Sequence, residues 1–141
     1  MSLRKGLVLD HLILLAAILP ESEVLPLLIK YESTTDFRTP EICFETVART
    51  LSQTLLRRDV DPAPAHAALR GLDRLVEPIG VDVYEACGSE ARERVAGGNS
   101  VQWPVVAVAL LFESPIWTKQ EDFFGAGIAT WTTKTVELYL R

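Results

Sequence analysis

Two acidic residues follow short apolar segments at positions where a carboxylate can do chemistry. Asp10 ends the apolar run 6–10, and Asp122 lies shortly after the apolar run 115–118. If both runs are strands of a parallel sheet, their carboxyl ends meet at the same edge, where such sheets bind ligands. We therefore take Asp10 and the segment 118–122 as the first candidates for a functional site.

The other reactive side chains form no constellation that indicates a particular chemistry. Cys43 and Cys87 belong to no CxxC pair and have no histidine at metal-ligand spacing, which predicts buried, reduced thiols. His11 begins an apolar segment and is predicted to be structural, and His66 lies in an alanine-rich segment with no evident partner. The three tryptophans can stack on nucleobases, but their apolar neighbours favour packing in the core.

The composition is that of a folded globular protein without a general affinity for nucleic acid. The 141 residues are 48% hydrophobic and 23% charged, which excludes disordered, collagen-like and coiled-coil chains. The length predicts a single domain spanning residues 1–141. The formal net charge is -5, from 19 acidic and 14 basic residues, so any attraction to nucleic acid must come from a local feature.

The amino-terminal segment is apolar but lacks the pattern of a targeting or membrane segment. Arg4 and Lys5 precede the apolar run 12–19, as in a secretory signal. Asp10 and His11 interrupt that pattern, no small-residue cleavage site follows the run, and the run is shorter than the ~20 residues that span a bilayer. The sequence therefore predicts a cytoplasmic protein without membrane association.

Short apolar strands that alternate with helices predict the fold class. The patterns favour strands at 6–10, 81–84, 115–118 and 128–131. They favour helices at 11–19, 21–31, 40–58 (capped by Thr39), 61–77, 89–95, 101–112 and 133–140, with loops at 33–36 and 97–100. Such alternation predicts a three-layer α/β/α domain around a mostly parallel sheet of four or five strands.

Several segments of the chain, in their order, resemble those of a PIN domain. They are Leu9-Asp10 followed by an apolar helix, TPEICFE at 39–45, VQWPVVAVAL at 101–110, PIWTKQEDFFG at 115–125 and IATWTTKTVE at 128–137. The resemblance covers nearly the whole chain and is most specific in the carboxyl-terminal third. It implies a small metal-dependent ribonuclease, often the toxin of a bacterial toxin-antitoxin pair, with a Mg2+ or Mn2+ site built from three or four carboxylates.

The resemblance also implies which acids of this chain belong to that site. Asp10 matches the family's first acid, at the end of the first strand. Glu45 best matches the acid on the long helix, and Glu41, one turn away on the same face, can substitute for it. Asp122 keeps the second acid of the last motif, which is less central to the metal in the family.

Two of the acids that the resemblance implies are replaced by amides. Gln102 and Gln120 stand where the family has its third and fourth acids, and Asn99 stands where relatives often carry Asp. A glutamine offers a carbonyl oxygen but no charge. At an effective dielectric constant of ~20, each lost carboxylate removes up to several kcal/mol of attraction for a divalent cation. The replacements also relieve repulsion among like charges, so we expect the metal-free fold to be more stable for them.

These features lead to two hypotheses of function. We favour a PIN-like protein with weak or lost catalysis that acts by binding RNA or a protein, such as an antitoxin-like partner or a second copy in a homodimer. The alternative is an active Mg2+- or Mn2+-dependent endonuclease of toxin type that cuts single-stranded RNA. In that alternative Asp10 and Glu45 hold the metal, and Gln102 or Gln120 supplies a neutral ligand or positions water.

Overall fold

A parallel sheet lies at the centre of the computed structural model, which describes residues 4–95 and 102–141. Its five strands within those residues are β1 (Lys5–Leu9), β2 (Thr35–Pro40), β3 (Val76–Ile79), β4 (Ile116–Trp117) and β5 (Thr130–Trp131). The order across the sheet is β3-β2-β1-β4-β5, and every neighbouring pair is parallel. The carboxyl ends of all these strands therefore lie at one edge, as the sequence predicts.

Helices connect the strands and cover the sheet. They are α1 (His11–Ala17), α2 (Val24–Tyr31), α3 (Glu41–Arg57), α4 (Ala63–Gly71), α5 (Val81–Tyr84), α6 (Gly88–Arg94), α7 (Gln102–Leu111) and α8 (Val136–Leu140). The helix α3 contacts α1 and α4, whereas α7 crosses β1 and β2 and contacts α5 and α6. The predicted α/β fold with its parallel sheet is confirmed. None of the helices in the described ranges combines the length and the apolar character that a membrane span requires.

The core is built around β1, the middle strand of the sheet. Leu7, Val8 and Leu9 have no exposed surface, because neighbouring strands and helices cover β1 on every side. On α7 the side chains from 104 to 109 are buried as well, as the apolar run predicts. Burying each large aliphatic side chain contributes about 1.5–3 kcal/mol. This packing determines where β1 ends and hence where Asp10 lies.

The segment 81–84 is not the strand that its alternating pattern predicts. It forms α5, and the backbone amides of Val83 and Tyr84 donate to the carbonyl oxygen of Gly80. Val81 and Val83 remain about half exposed, whereas Tyr84 is buried. A period of two over four residues also fits one helical turn that buries a single side chain, so the short pattern is ambiguous.

The strand of this region is β3, at a place where a helix is predicted to continue to residue 77. That helix, α4, ends at Gly71 and is followed by one 3-10 turn, Leu72–Arg74. Pro78 cannot donate a backbone hydrogen bond, but β3 is an outermost strand of the described sheet, and proline is tolerated in such strands. The sheet position of the segment, which depends on its neighbours, overrides its local preference.

The strand β2 includes part of a segment predicted to be a loop. Thr35, Phe37 and Thr39 are buried and alternate with less buried residues, as in a strand between two others. The polar residues of β2, which make its sequence resemble that of a loop, have partners elsewhere in the fold. Arg4 Nε donates to Asp36 Oδ1 over 2.7 Å, and the Arg38 guanidinium lies 4.0 Å from the centroid of the Phe112 ring.

Gly6 offers a test of the packing around β1. A Cβ atom at this position would lie 2.3 Å from Ser114 Oγ and 3.2 Å from a guanidinium nitrogen of Arg38. Gly6→Ala is therefore expected to lower the free energy of unfolding by about 1–3 kcal/mol, as overpacking does. Urea denaturation measures this loss, and Ser114→Ala in the same chain is expected to restore most of it.

The matched control for this test is Gly71→Ala at the end of α4. Apart from its chain neighbours and the backbone of its own helix, no described atom lies within 4 Å of a Cβ built there. Alanine also favours the helix more than glycine does, so the change is expected to stabilise the protein slightly. Equal losses of stability in Gly6→Ala and Gly71→Ala would contradict the prediction.

Candidate functional site

Asp10 is a buried carboxylate at the carboxyl end of the central strand. Its backbone N–H donates to the carbonyl oxygen of Trp117 over 3.4 Å, which joins the ends of β1 and β4. Its Oδ1 accepts a 3.0 Å hydrogen bond from the backbone N–H of Ile13 and so caps α1. The residue has no exposed surface. Asp10 therefore links β1, β4 and α1 at one point.

Two side chains that follow β4 bind the other carboxylate oxygen of Asp10. The hydroxyl of Thr118 donates to Oδ2, and Gln120 Nε2 donates to the same oxygen over 2.7 Å. Thr118 Oγ1 also accepts a 2.9 Å hydrogen bond from the backbone N–H of Gln120, which holds the segment in a tight turn. The fold thus brings Asp10 and Gln120, two of the residues singled out in the sequence, into direct contact.

The helix α3 starts at the same edge of the sheet. Thr39 Oγ1 donates to the carbonyl oxygen of Leu9 over 2.7 Å, and this bond ties the end of β2 to the end of β1. The sequence predicts that Thr39 caps α3, and this prediction is wrong: the Thr39 hydroxyl is used by Leu9, and Pro40 is the residue before the helix. Glu41 and Glu45 lie in the first two turns and are exposed to solvent.

The two glutamates border a cavity with an aromatic wall. The cavity has a volume of about 410 Å3 and lies between α3, α5 and the start of α7, where Tyr84 and Trp103 line it. The Tyr84 ring meets the Trp103 ring edge-on, with centroids 5.6 Å apart, and the Arg92 guanidinium lies 4.0 Å from the Trp103 centroid. This edge of the sheet therefore combines negative charge with aromatic surface.

Tyr84 keeps its phenol neutral at this wall. Burial raises the pKa of Tyr84, and the nearby Cys43, Glu41 and Glu45 act in the same direction, the two glutamates because their negative charges disfavour a phenolate. Tyr84 is therefore an uncharged, polarisable part of the wall over the physiological pH range.

The remaining residues singled out in the sequence are placed less closely. Gln102 is buried as the first residue of α7. Asp122 lies in a 3-10 turn, Glu121–Phe123, but its side chain is outside the described part of the structure. Asn99 and the predicted loop around it are also outside the described residues. The roles of Gln102 and Asp122 accordingly stay predictions.

Sequence reasoning assigned no specific role at this edge to three of its participants. Thr118 was available as a hydroxyl at a strand end, two residues before Gln120, but side-chain turns of this kind carry a weak signal. Arg92 lies on α6 and Trp103 on the following helix, α7, and the two side chains meet because these helices pack together. Trp103 is only partly buried, whereas Trp117 is the tryptophan with no exposed surface.

The structure places both cysteines and His66 in the described residues. Cys43 is buried and Cys87 partly buried, and both thiols are free. Burial raises the pKa of the Cys43 thiol to about 12, and the nearby Asp10 carboxylate acts in the same direction. His66, for which the sequence shows no partner, has its Nε2 2.8 Å from Ser52 Oγ and links α4 to α3.

The described residues do not fit the divalent cation that the resemblance implies. Mg2+ and Mn2+ require several hard oxygen ligands, and carboxylates supply the charge. Asp10 is the one fully buried acid among the described side chains, and both of its oxygens already accept hydrogen bonds. In the described ranges no three His, Cys, Asp or Glu side chains are grouped so that they could hold a metal ion.

The protected state of Cys43 can be tested with a thiol reagent. In native protein at pH 8, a disulfide reagent such as DTNB is expected to label Cys87 but not Cys43, because Cys43 is buried and protonated. Cys87→Ala is expected to abolish the fast labelling, and Cys43→Ala is expected to leave it unchanged. Fast labelling of Cys43 in the Cys87→Ala variant would show that this part of the core opens readily.

Comparison with known proteins agrees with this architecture. The structure is similar to the crystal structure of VapBC2 from Rickettsia felis bound to a DNA fragment from their promoter, with a TM-score of 0.68, 11% identity, and coverage of 90% of this chain and 98% of that chain. It is also similar to FitAcB from Neisseria gonorrhoeae, with a TM-score of 0.54, 14% identity and coverage of 91% and 98%. No curated protein matches the sequence significantly. The family model for the PIN domain matches residues 8–141, and the chain therefore belongs to the PIN domain family.

Proposed function

We propose that this PIN domain acts by binding a protein partner with a basic segment and has weak or no nuclease activity. The observation that carries the proposal is the hydrogen bonding of Asp10, whose carboxylate is occupied by Ile13, Thr118 and Gln120. These three donors already compensate much of the buried charge, so a cation gains less there than at an unpaired carboxylate. Without a cation, the edge lacks the positive charge that RNA cleavage by a carboxylate site needs.

The charge of the edge favours a protein over RNA. Glu41 and Glu45 are exposed there, and the chain carries a net charge of -5. A phosphate backbone brings further negative charge, and its binding to proteins normally depends on lysine and arginine contacts. Arg92, a cation at this wall, already lies against Trp103. A basic peptide segment, in contrast, is attracted to the same carboxylates.

The cavity beside the glutamates suits a cationic side chain. A guanidinium or ammonium group is bound favourably by carboxylates and by the face of an aromatic ring. Glu41, Glu45 and Trp103 present these two kinds of surface around one cavity of about 410 Å3. Arg70 and Asp73 line a smaller cavity of about 240 Å3 that also borders both glutamates, so a longer segment can continue there.

The similar structures support an antitoxin-like protein as the partner class. Both belong to assemblies named for two components, VapBC2 and FitAcB, and the first is bound to promoter DNA. A homodimer and action in the cytoplasm also belong to this proposal. Leu19 is 53% exposed beside an apolar hollow between α1, α2 and α4, which supports self-association, and the free thiols Cys43 and Cys87 are typical of a reducing compartment.

Binding can be tested with defined probes. A labelled hepta-arginine peptide is expected to bind more tightly than a seven-nucleotide oligouridine of equal label, measured by fluorescence anisotropy in 150 mM NaCl and EDTA after light scattering has fixed the oligomeric state. Glu41→Gln with Glu45→Gln is expected to weaken peptide binding about tenfold, since each exposed charge pair contributes roughly 0.5–1 kcal/mol.

The control for the binding test changes net charge equally at another place. Glu23→Gln with Glu77→Gln replaces two exposed acids that do not line the cavity. This variant is expected to bind the peptide nearly as well as the parent. The proposal fails if both double variants lose the same affinity, or if the oligouridine binds more tightly than the peptide.

A second test addresses the metal. Millimolar Mg2+ or Mn2+ is expected to change the melting temperature by less than about 1 °C, because a ligand stabilises a protein only as far as it binds. Gln102→Asp with Gln120→Asp is expected to lower the melting temperature in EDTA and to make it rise with Mn2+. The active-nuclease alternative is favoured if the unchanged protein is itself stabilised by Mn2+ and cuts single-stranded RNA in a way that Glu45→Gln abolishes.

A further inference from the structure

The carboxylate of Asp10, which the family resemblance implies as a metal ligand, connects several elements of the fold by hydrogen bonds. Its hydrogen bonds reach the first turn of α1 through Ile13, and they reach the segment after β4 through Thr118 and Gln120. The backbone of Asp10 continues β1 and is bonded to Trp117. Three elements that are distant in the sequence are thus held together by one buried side chain.

We propose that Asp10 is a structural cross-link in this chain and that the amide of Gln120 is its internal partner in place of a cation. Gln120 Nε2 lies 2.7 Å from Asp10 Oδ2 and supplies a donor at the side of the carboxylate that faces the end of β4. No described lysine or arginine forms an ion pair with Asp10. Hydrogen bonds within the chain therefore hold together the elements that meet at Asp10. This inference concerns the free protein and does not depend on the proposed partner.

Removing the charge of Asp10 is expected to change the stability of the metal-free protein in the direction opposite to that found in a metal site. Where several acids are clustered to bind a metal, replacing one of them relieves repulsion and stabilises the metal-free protein. Here the charge of Asp10 is compensated by donors, and a buried donor that loses its acceptor is destabilising. The Asn side chain is neutral and has one acceptor oxygen, so Thr118 and Gln120 would lose the charged acceptor that they now share. Removing the charge of Asp10 is therefore expected to destabilise the protein.

The test is the melting temperature in EDTA, where metal plays no part. Asp10→Asn is expected to lower it by about 5 °C or more. Glu45→Gln, which neutralises an exposed acid at the same edge, is expected to change it by less than about 2 °C. A rise in melting temperature for Asp10→Asn, or an effect no larger than that of Glu45→Gln, would overturn the proposal.

A polarity swap keeps the test decisive even if Asp10→Asn alone does not fold. Gln120→Glu places a second carboxylate against Asp10 and is expected to lower the melting temperature in EDTA through repulsion. Asp10→Asn combined with Gln120→Glu puts the amide on position 10 and the carboxylate on position 120, and it is expected to recover at least half of that loss. Absence of both the loss and the recovery would show that the two side chains are not coupled.

Adding Mn2+ then distinguishes a structural cross-link between Asp10 and Gln120 from a cation site that Gln120 covers. Mn2+ is expected to stabilise Gln120→Glu, in which two carboxylates meet, and to leave the parent and the polarity-swapped variant unchanged. Stabilisation of the parent by Mn2+ to the same extent as Gln120→Glu would overturn the proposal, because the cation would then compete successfully with the amide. None of these measurements involves a partner, so their failure is distinct from failure of the proposed function.

Discussion

A carboxylate removed from water is stable in a protein only where donors or cations replace the lost hydration. In this PIN domain that requirement falls on Asp10, which has no exposed surface at the end of the central strand. The chain meets it with a backbone N–H, a hydroxyl and an amide. Because the three donors come from α1 and from the segment after β4, satisfying one side chain also fixes the relative positions of these elements.

The same constraint divides the carboxyl edge of the sheet into two parts. Around Asp10 the edge is buried and hydrogen-bonded, and the amide of Gln120 stands where the PIN family resemblance implies an acid. Around Glu41 and Glu45 the edge is open, negatively charged and lined by Trp103. At the edge where the family resemblance implies a metal site, this chain presents an exposed acidic and aromatic surface. Carboxylates and aromatic rings are groups that attract cations.

The sequence predicted much of the fold because the central elements are strongly apolar. The segments that form β1 and α7 are continuous apolar runs, which are stable only when they are buried. Both segments are largely buried in the structure, as this pattern predicts. The sequence pattern does not predict the polar strand β2 or the proline-containing strand β3. Their strand conformation depends on pairing with β1 and with each other, and a local pattern carries no information about such partners.

The sequence by itself determined the residue types at the site: a single acid after the central strand, two glutamates one turn apart, and amides in place of two expected acids. Only the tertiary structure decided how they are used. The bond from Gln120 to Asp10 spans 110 residues, and the aromatic wall depends on the packing of α6 against α7. The parallel sheet gathers strand ends from distant parts of the chain at one edge, so the sequence predicts that Asp10 and the segment 118–122 lie near each other. Which of their atoms are hydrogen-bonded depends on side-chain packing, which the spacing of residues along the chain does not encode.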